Sequence, residues 1–184
     1  MKDAKTDRPL LEIRNLEKRF DLDQGFLETL KFKQGKFVRE SRSVHAVNNV
    51  SLEVGRGEAL CVVGESGCGK STVARLVAGL LTPTAGEIHY EGQRIDNLPS
   101  GGMQPLRKKI QMIFQNPYAS LNPRMTIRQA LEEPVRHHNP RAPAAEVRDK
   151  VTEVMLSVGV DPSWAKRYPH EFSGGQRQRI AIAR

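Results

Sequence analysis

The sequence lacks the features that mark membrane-spanning, disulfide-bonded and single-strand-binding proteins. No apolar run approaches the roughly 18 residues that a transmembrane helix needs, and the first five residues lead into no apolar signal segment. The two cysteines, Cys61 and Cys68, are too few and too poorly spaced for a disulfide framework or a zinc site. Six Phe, three Tyr and one Trp, not interleaved with basic runs, disfavour binding to single-stranded nucleic acid. We therefore expect a globular, cytoplasmic chain.

What the sequence does have is an excess of positive charge. Its 184 residues carry a formal net charge of +8, and their number suits one domain or slightly more. A positive balance indicates an acidic partner. Charge alone leaves three candidates open: a nucleotide, a nucleic acid and an anionic membrane surface.

Residues 64–71 have the sequence GESGCGKS, which fits the phosphate-binding pattern G-x-x-x-x-G-K-[ST] at every fixed position. Glycines in such a loop let consecutive backbone N–H groups point at phosphate oxygens without a Cβ in the way. Lys70 adds a positive charge for the β- and γ-phosphates, and the Ser71 hydroxyl is suited to bind Mg²⁺. The alternative is a glycine-rich turn without a ligand. The predicted nucleotide-binding residues here are Gly64, Glu65, Ser66, Gly67, Cys68, Gly69, Lys70, Ser71 and Thr72.

The segments on either side of this loop favour the phosphate-binding interpretation. Residues 59–63 form a short apolar run, which is typical of a strand buried on both faces. After the loop, five apolar residues fall at helical spacing: Val73, Leu76, Val77, Leu80 and Leu81. The order of strand, glycine loop and helix brings the free N–H groups of the helix N-terminus to the anion site.

Short β-type segments precede and follow this unit. Residues 10–16 and 87–90 are predicted strands, and residues 44–47 and 50–54 are predicted as two antiparallel strands broken at Asn48-Asn49.

The polar, lysine-rich stretch 21–43 is predicted as an insertion, either a long hairpin or a mobile loop. It is either a solvated excursion or a basic contact surface for another subunit or the membrane.

A second predicted strand, residues 110–114, ends at Gln115. In open α/β sheets the ligand lies beyond the carboxyl ends of the strands, so Gln115 is well placed to meet a metal or a phosphate. From its position alone, an ordinary surface residue is an equal alternative.

Two helices are predicted in the second half of the chain. Thr126 caps the first, which Pro134 kinks or ends, and the second covers residues 147–158. The pair His137-His138 has no third ligand nearby, so we interpret it as solvated loop rather than a metal site.

The last segment, residues 172–184, begins with Phe172-Ser173-Gly174-Gly175-Gln176. Ser173 is a good helix N-cap, and the two glycines expose backbone N–H groups at the start of the helix. The segment is therefore either a second anion-binding helix start or an ordinary capped helix.

Taken in order, residues 64–71, Gln115 and residues 172–176 resemble the ATP-binding subunit of an ABC transporter. Ser173, Gly174, Gly175 and Gln176 look like the family's signature, with Phe172 where Leu is more usual. The segments FQNPYASLNPR at 114–124 and RYPHEF at 167–172 resemble the ATPases of oligopeptide, dipeptide and glutathione importers, and those of nickel importers are closely related. The resemblance covers about residues 10–184.

The resemblance implies a fold class and a division of the chain. The fold is an α/β P-loop NTPase core of the RecA-like type, with an antiparallel β subdomain and a helical subdomain. The chain is implied to be a partial nucleotide-binding domain over residues 1–184. Its parts are the mainly β subdomain 10–63 with the insertion 21–43, the phosphate-loop core 59–115, the helical subdomain 116–172, and the signature motif and helix 172–184.

The resemblance also implies a mechanism that uses ATP and Mg²⁺. Two such subunits, identical or paralogous, face head to tail, and each ATP lies between the phosphate loop of one and the Ser173–Gln176 signature of the other. Ser71 and Gln115 bind Mg²⁺, Gln115 also positions the attacking water, and Phe20 stacks on adenine. The implied partners are two membrane permease subunits and a separate substrate-binding protein, at the cytoplasmic face of the inner membrane.

The chain departs from the family's pattern at its C-terminal end. It stops at Arg184, before the family's Mg²⁺-binding Asp, catalytic Glu and switch His. We therefore expect an incomplete fold that binds nucleotide weakly and does not hydrolyse it at family rates.

Three alternatives stay open at this point. They are a non-transport ABC ATPase acting on DNA, a small-molecule kinase, and a nucleotide-binding fragment without activity. The motifs leave open whether the cargo is oligopeptide, dipeptide, glutathione or nickel.

Overall fold

The computed structural model describes residues 8–22, 30–33, 36–39, 43–99, 101–114, 116 and 120–184. The chain divides into two compact units, Met1–Met112 and Ile113–Arg184. The glycine loop at 64–71 belongs to the first unit, and the turn at Ser173 belongs to the second.

Antiparallel strands form the framework of the first unit. In chain order they are β1 (Leu11–Asp21), β2 (Leu30–Lys33), β3 (Lys36–Arg39), β4 (Ser43–Val54), β5 (Ala85–Tyr90) and β6 (Gln93–Arg94). Four of them form one sheet in the order β4-β1-β5-β6, while β2 and β3 pair with each other as a separate hairpin. The predicted strands at 10–16 and 87–90 are confirmed, and the hairpin lies within the predicted insertion.

A pair of asparagines shapes the middle of the sheet. Asn15 and Asn49 both have left-handed backbones, with φ of 48° and 51°, and the amide of Asn15 donates to Asn49 Oδ1 at 2.8 Å. Asparagine tolerates this conformation better than most residues. The prediction of two strands at 44–47 and 50–54 is wrong, because β4 runs unbroken through Asn49 and only its register with β1 shifts there.

Helix α1 (Lys70–Val77) and the short helix α2 (Gln104–Arg107) complete the first unit. Helix α1 is shorter than predicted, since Gly79 has φ of 66° and Leu80 is 55% exposed. The core of the unit lies between the sheet and the helices and contains eight buried residues: Ile13, Leu16, Val47, Leu76, Ile88, Ile95, Met103 and Leu106.

An ion-pair network stabilises the β5–β6 hairpin. Arg94 bonds Glu87 at 2.6 Å and Asp96 at 3.0 Å, and the backbone N–H of Ile88 donates to Asp96 at 2.8 Å. The Asp96 side chain is only 4% exposed. Its burial raises the pKa of this carboxyl, but the bonds from Arg94 and Ile88 outweigh burial and hold the pKa below its ordinary value.

Two predicted strands are absent from the described residues. Residues 59–63 and 110–114 take no part in a strand ladder. Most of their apolar side chains are exposed, with Val63 at 86% and Ile113 at 59%, although Ile110 packs against the core. A strand buried on both faces needs neighbours on both sides to bond its backbone. No described strand pairs with either segment, so the apolar runs stay unpaired.

The second unit is helical. It contains α3 (Ile127–His138), α4 (Ala144–Ser157), two 3₁₀ helices (Pro162–Lys166 and Pro169–Glu171) and α5 (Gly174–Ala183). Its core contains ten buried residues: Leu121, Ile127, Ala130, Leu131, Val151, Met155, Val160, Ala165, Phe172 and Ile180. Within the described part of the chain, no helix has both the length and the apolarity to cross a bilayer.

The ends of α3 and α4 test the predicted caps. Thr126 caps α3 in a capping box with Gln129, as predicted, but Pro134 neither ends the helix nor interrupts it before His138. The prediction of a solvated loop at His137-His138 is wrong, because both residues form the last turn of α3. Gly159, with φ of 67°, follows the C-cap residue of α4.

Candidate functional site

The glycine loop owes its shape to a close approach between Gly69 and strand β4. Gly69 caps α1 with φ of 99°, and a Cβ built on it would lie 2.2 Å from the carbonyl oxygen of Ala46. Any side chain at this position would therefore be strained and would also collide with the sheet. The sequence pattern predicts a glycine at position 69. It does not indicate that the carbonyl oxygen of Ala46 packs against this glycine and leaves no room for a side chain.

The other glycines of the loop have different surroundings. A Cβ on Gly64 would lie 2.7 Å from the sulfur of Cys68, so the thiol occupies the space above Gly64. Gly67 has φ of 88° and nothing within 4 Å of its missing Cβ. The loop therefore needs Gly67 for its backbone conformation, while the space beside it stays open to a ligand.

Several backbone N–H groups of the loop are free. Among the described residues, the N–H groups of Gly67, Gly69, Lys70 and Ser71 have no acceptor, whereas those of Thr72 and Val73 bond the Gly69 carbonyl at 2.9 and 3.0 Å. The free groups lie at the N-terminus of the eight-residue helix α1, where the helix dipole also favours an anion. Together they form a cradle of donors without a protein acceptor.

Lys70 folds back over this cradle. Its ammonium donates to the carbonyls of Gly64 and Glu65, both at 2.6 Å, and lies 3.5 Å from the Cys68 sulfur. These carbonyls hold the cation beside the free N–H groups. The arrangement can bind a polyanion through one charge and four backbone donors.

The predicted magnesium ligands are partly outside the described residues. Ser71 is exposed in the first turn of α1. Gln115 lies outside the described residues, so the structure leaves the predicted pairing of Ser71 with Gln115 at a metal untested. Within the described ranges, no group of three or more His, Cys, Asp or Glu residues could hold a metal ion.

Phe20 lies near the end of β1, opposite Val44 of β4. Its side chain is 36% exposed, and the ammonium of Lys18 lies 5.1 Å from the ring centroid. Lys18 also donates to the Thr82 carbonyl at 2.8 Å, which fixes the cation over the ring. An exposed aromatic ring held in this way can stack on a planar ligand.

The Ser173 turn is a capping box at the start of α5. The Ser173 hydroxyl accepts from the Gln176 backbone N–H at 3.3 Å, and Gln176 Oε1 accepts from the Ser173 backbone N–H at 2.9 Å. Among the described residues, the N–H groups of Gly174 and Gly175 have no acceptor, and a Cβ on either would meet nothing within 4 Å. The turn is therefore a second open helix start that can accept an anion.

The residue before the turn, Phe172, is buried against Trp164. Phe172 is 4% exposed, and its ring centroid lies 6.0 Å from that of Trp164 in a T-shaped arrangement. Ser173, Gly174 and Gly175 are exposed immediately after it. The buried Phe172 therefore fixes the base of a turn whose tip faces solvent.

Comparison with curated proteins gives close relatives. The chain is 49% identical over 176 residues to the glutathione import ATP-binding protein GsiA of Escherichia coli (strain K12). The alignment covers 96% of this chain and 26% of that protein. It is 46% identical over 182 residues to the oligopeptide transport ATP-binding protein AppF of Bacillus subtilis (strain 168), which covers 98% of this chain and 52% of that protein. The chain thus spans about half the length of one relative and a quarter of the other.

Comparison with solved structures identifies the fold. The structure of the dimeric bacterial ABC transporter cassette MJ0796 matches with a TM-score of 0.75 at 26% identity, over 94% of this chain and 67% of that one. Its post-hydrolysis state, bound to ADP and Pi, matches with a TM-score of 0.73. These matches confirm the predicted α/β P-loop NTPase fold class. The family model described as ABC transporter matches residues 47–184. The chain therefore belongs to the ABC transporter family.

Proposed function

We propose that residues 64–71 bind the phosphates of ATP. The observation that carries this proposal is the cradle of four free N–H groups, on Gly67, Gly69, Lys70 and Ser71, beside the Lys70 ammonium. A phosphate chain offers several acceptors and negative charge in one ligand, which suits such a set of donors. The relatives named above are ATP-binding proteins, which supports the same ligand.

The surrounding residues take roles that follow from their chemistry. Lys70 exchanges the carbonyls of Gly64 and Glu65 for phosphate oxygens when the nucleotide arrives. The Ser71 hydroxyl and Gln115 are the proposed ligands of Mg²⁺, whose charge offsets that of the phosphates. Phe20 is the proposed stacking partner of the adenine ring.

We further propose that a second ATP-binding subunit completes the site. Its Ser173 turn, with the open N–H groups of Gly174 and Gly175, approaches the γ-phosphate of the nucleotide held by the first subunit. The dimeric state of the matched cassette supports this arrangement. Hydrolysis of the sandwiched ATP is the activity proposed for the protein, with Gln115 positioning the attacking water.

The relatives suggest what the ATPase drives. One is a glutathione import protein and the other an oligopeptide transport protein. We propose that this protein energises the import of peptides or glutathione at the cytoplasmic face of the membrane. Its proposed partners are two permease subunits and a separate binding protein that selects the cargo.

The experiment that tests the central proposal is titration of the 184-residue chain with Mg·ATP, measured by isothermal titration calorimetry. Replacing Lys70 with Ala removes a charged donor, so we expect the dissociation constant to rise by about tenfold or more. The matched control is Lys108→Ala, because Lys108 is exposed and makes no ion pair among the described residues. Equal affinities in the two variants, or absence of ATP binding by the unaltered chain, would refute the proposal.

A further inference from the structure

Arg184, at the end of the α5 segment, joins two parts of the second unit. Its guanidinium donates to the Ser120 carbonyl oxygen at 2.5 Å and to Glu133 Oε2 at 2.8 Å. Ser120 precedes Leu121 of the core, and Glu133 lies in α3. One planar side chain therefore links the C-terminal end of α5 to a distant backbone carbonyl and to a second helix.

The link continues beyond Ser120. The Ser120 hydroxyl donates to the carbonyl of Asn116 at 3.2 Å. Asn116 follows Gln115 in the chain. Two hydrogen bonds thus connect the end of α5, through Ser120, with the backbone next to the proposed magnesium ligand.

The other end of α5 is the Ser173 turn. The ten residues of this helix span about 15 Å of continuously hydrogen-bonded backbone, which joins the Ser173 turn to Arg184. Phe172 and Ile180 are both buried in the same core as Leu121, which holds the helix along its length. A displacement of Ser120 can therefore reach the Ser173 turn through Arg184 and the helix.

The Arg184–Glu133 ion pair alone would not suggest more than surface stabilisation. Both side chains are partly exposed, at 36% and 54%, and exposed ion pairs contribute little. The added bond to a backbone carbonyl changes this interpretation. An arginine fork fixes both partners in one geometry, which a lysine at the same position cannot do.

We propose that Arg184 is a positioning residue, which couples the Ser173 turn to the backbone at Asn116 and Ser120. The coupling keeps the turn that meets one nucleotide in register with the segment beside Gln115. This inference rests on the proposed function, because that function gives both segments a part in nucleotide binding.

The test is amide hydrogen exchange of the nucleotide-free 184-residue chain, measured by mass spectrometry. The variant Arg184→Lys keeps the charge and loses the fork. We expect exchange to rise about tenfold at the hydrogen-bonded amides within residues 120–126 and within residues 173–180, which is the effect of losing a charged hydrogen bond on local opening. The amides of Gly174 and Gly175 have no acceptor among the described residues and are left out of the comparison. The control Arg179→Lys changes the same residue type on the same exposed helix, where Arg179 reaches the Gly159 carbonyl at 3.5 Å. We expect it to leave both segments unchanged.

A second pair of variants tests transmission rather than stability. Ser120→Ala removes the bond to Asn116, and we expect it to raise exchange at residues 173–180 in the chain with Arg184. In the Arg184→Lys background, Ser120→Ala should add nothing there. A change at one end only, a uniform rise through α3 and α4, an equal effect of Arg179→Lys, or additive effects of Ser120→Ala would overturn the inference.

These outcomes are separate from those of the proposed function. The exchange measurements contain no nucleotide, so they decide the coupling even if the chain binds no ATP. Titration of the same samples with Mg·ATP decides nucleotide binding independently.

Discussion

The carbonyl oxygen of Ala46 lies 2.2 Å from the point where a Cβ on Gly69 would stand. Strand β4 and the first residue before α1 therefore meet backbone to backbone. The contact joins the antiparallel sheet to the loop that is proposed to hold phosphate, and it makes the position of the loop depend on the sheet.

Replacing Gly69 with Ala tests this dependence. The variant places a side chain at φ of 99° and against Ala46, so we expect a loss of at least about 2 kcal/mol in the free energy of unfolding and loss of ATP binding. The measurements are urea unfolding and calorimetric titration. Gly67→Ala is the matched control, since it has φ of 88° with nothing near its Cβ. We expect it to cost about 1 kcal/mol, from backbone strain alone. Equal losses in the free energy of unfolding of the two variants would contradict a role for Ala46.

Replacing Phe20 with Ala tests the proposed adenine contact. Stacking of a base on an aromatic ring is worth about 1–3 kcal/mol, so we expect the dissociation constant for ATP to rise by about tenfold. Binding of tripolyphosphate, which has no base, should stay unchanged. The control is Val44→Ala, because Val44 pairs with Phe20 across the strands and is 46% exposed. If ATP and tripolyphosphate weaken equally, Phe20 does not contact the base.

The buried carboxylate of Asp96 makes stability depend on pH. Its pKa is lowered in the folded chain from the ordinary 3.8, so its contribution is present above that value and is lost as the pH falls through the folded pKa. We expect Asp96→Asn to cost about 1.5–3 kcal/mol at pH 7 and much less at pH 2. Urea unfolding at both pH values measures the difference.

The comparison for Asp96 is Asp149→Asn, an exposed aspartate without an ion pair among the described residues. We expect it to leave the free energy of unfolding within about 0.5 kcal/mol at either pH. A cost of Asp96→Asn that does not shrink in acid would show that shape, and not charge, is what the site requires.

The capping box at Ser173 predicts a loss of stability separate from nucleotide binding. Ser173→Ala removes the acceptor of the Gln176 N–H, so we expect unfolding to become easier by about 1 kcal/mol. Thermal unfolding followed by circular dichroism measures it. Ser173→Asp retains an acceptor at the N-cap and should recover most of the loss. If Asp gives no recovery, the cap does not account for the effect of Ala.

The backbone of the glycine loop and the helix caps could be predicted because each depends mainly on a few adjacent residues. The loop needs left-handed backbones at Gly67 and Gly69, and glycine is the residue that supplies them. Thr126 with Gln129, and Ser173 with Gln176, form the predicted caps through bonds three residues apart. In these places the adjacent residues account for the backbone conformation, although contact with Ala46 sets where the loop lies against the sheet.

The strands predicted at 59–63 and 110–114 are absent from the part of the chain that the structure describes, because their formation does not depend on adjacent residues alone. An apolar run indicates that a segment is suited to burial, but a strand forms only when neighbours bond its backbone. The break predicted at Asn48-Asn49 failed for a related reason, because Asn15 on the neighbouring strand bonds Asn49 and keeps β4 continuous. Ala46 and Arg184 were also missed, since their contacts join residues far apart in the sequence.

Gln176 has one end of its amide already engaged, because Oε1 accepts the backbone N–H of Ser173. Its NH₂ group has no acceptor among the described residues, so this side chain is best suited to acceptor atoms such as phosphate or ribose oxygens. A glutamate at this position would keep the bond to Ser173 but turn the outward end from an attractive group into a repulsive one. The same helix start can therefore stay folded while its attraction for a phosphate is weakened.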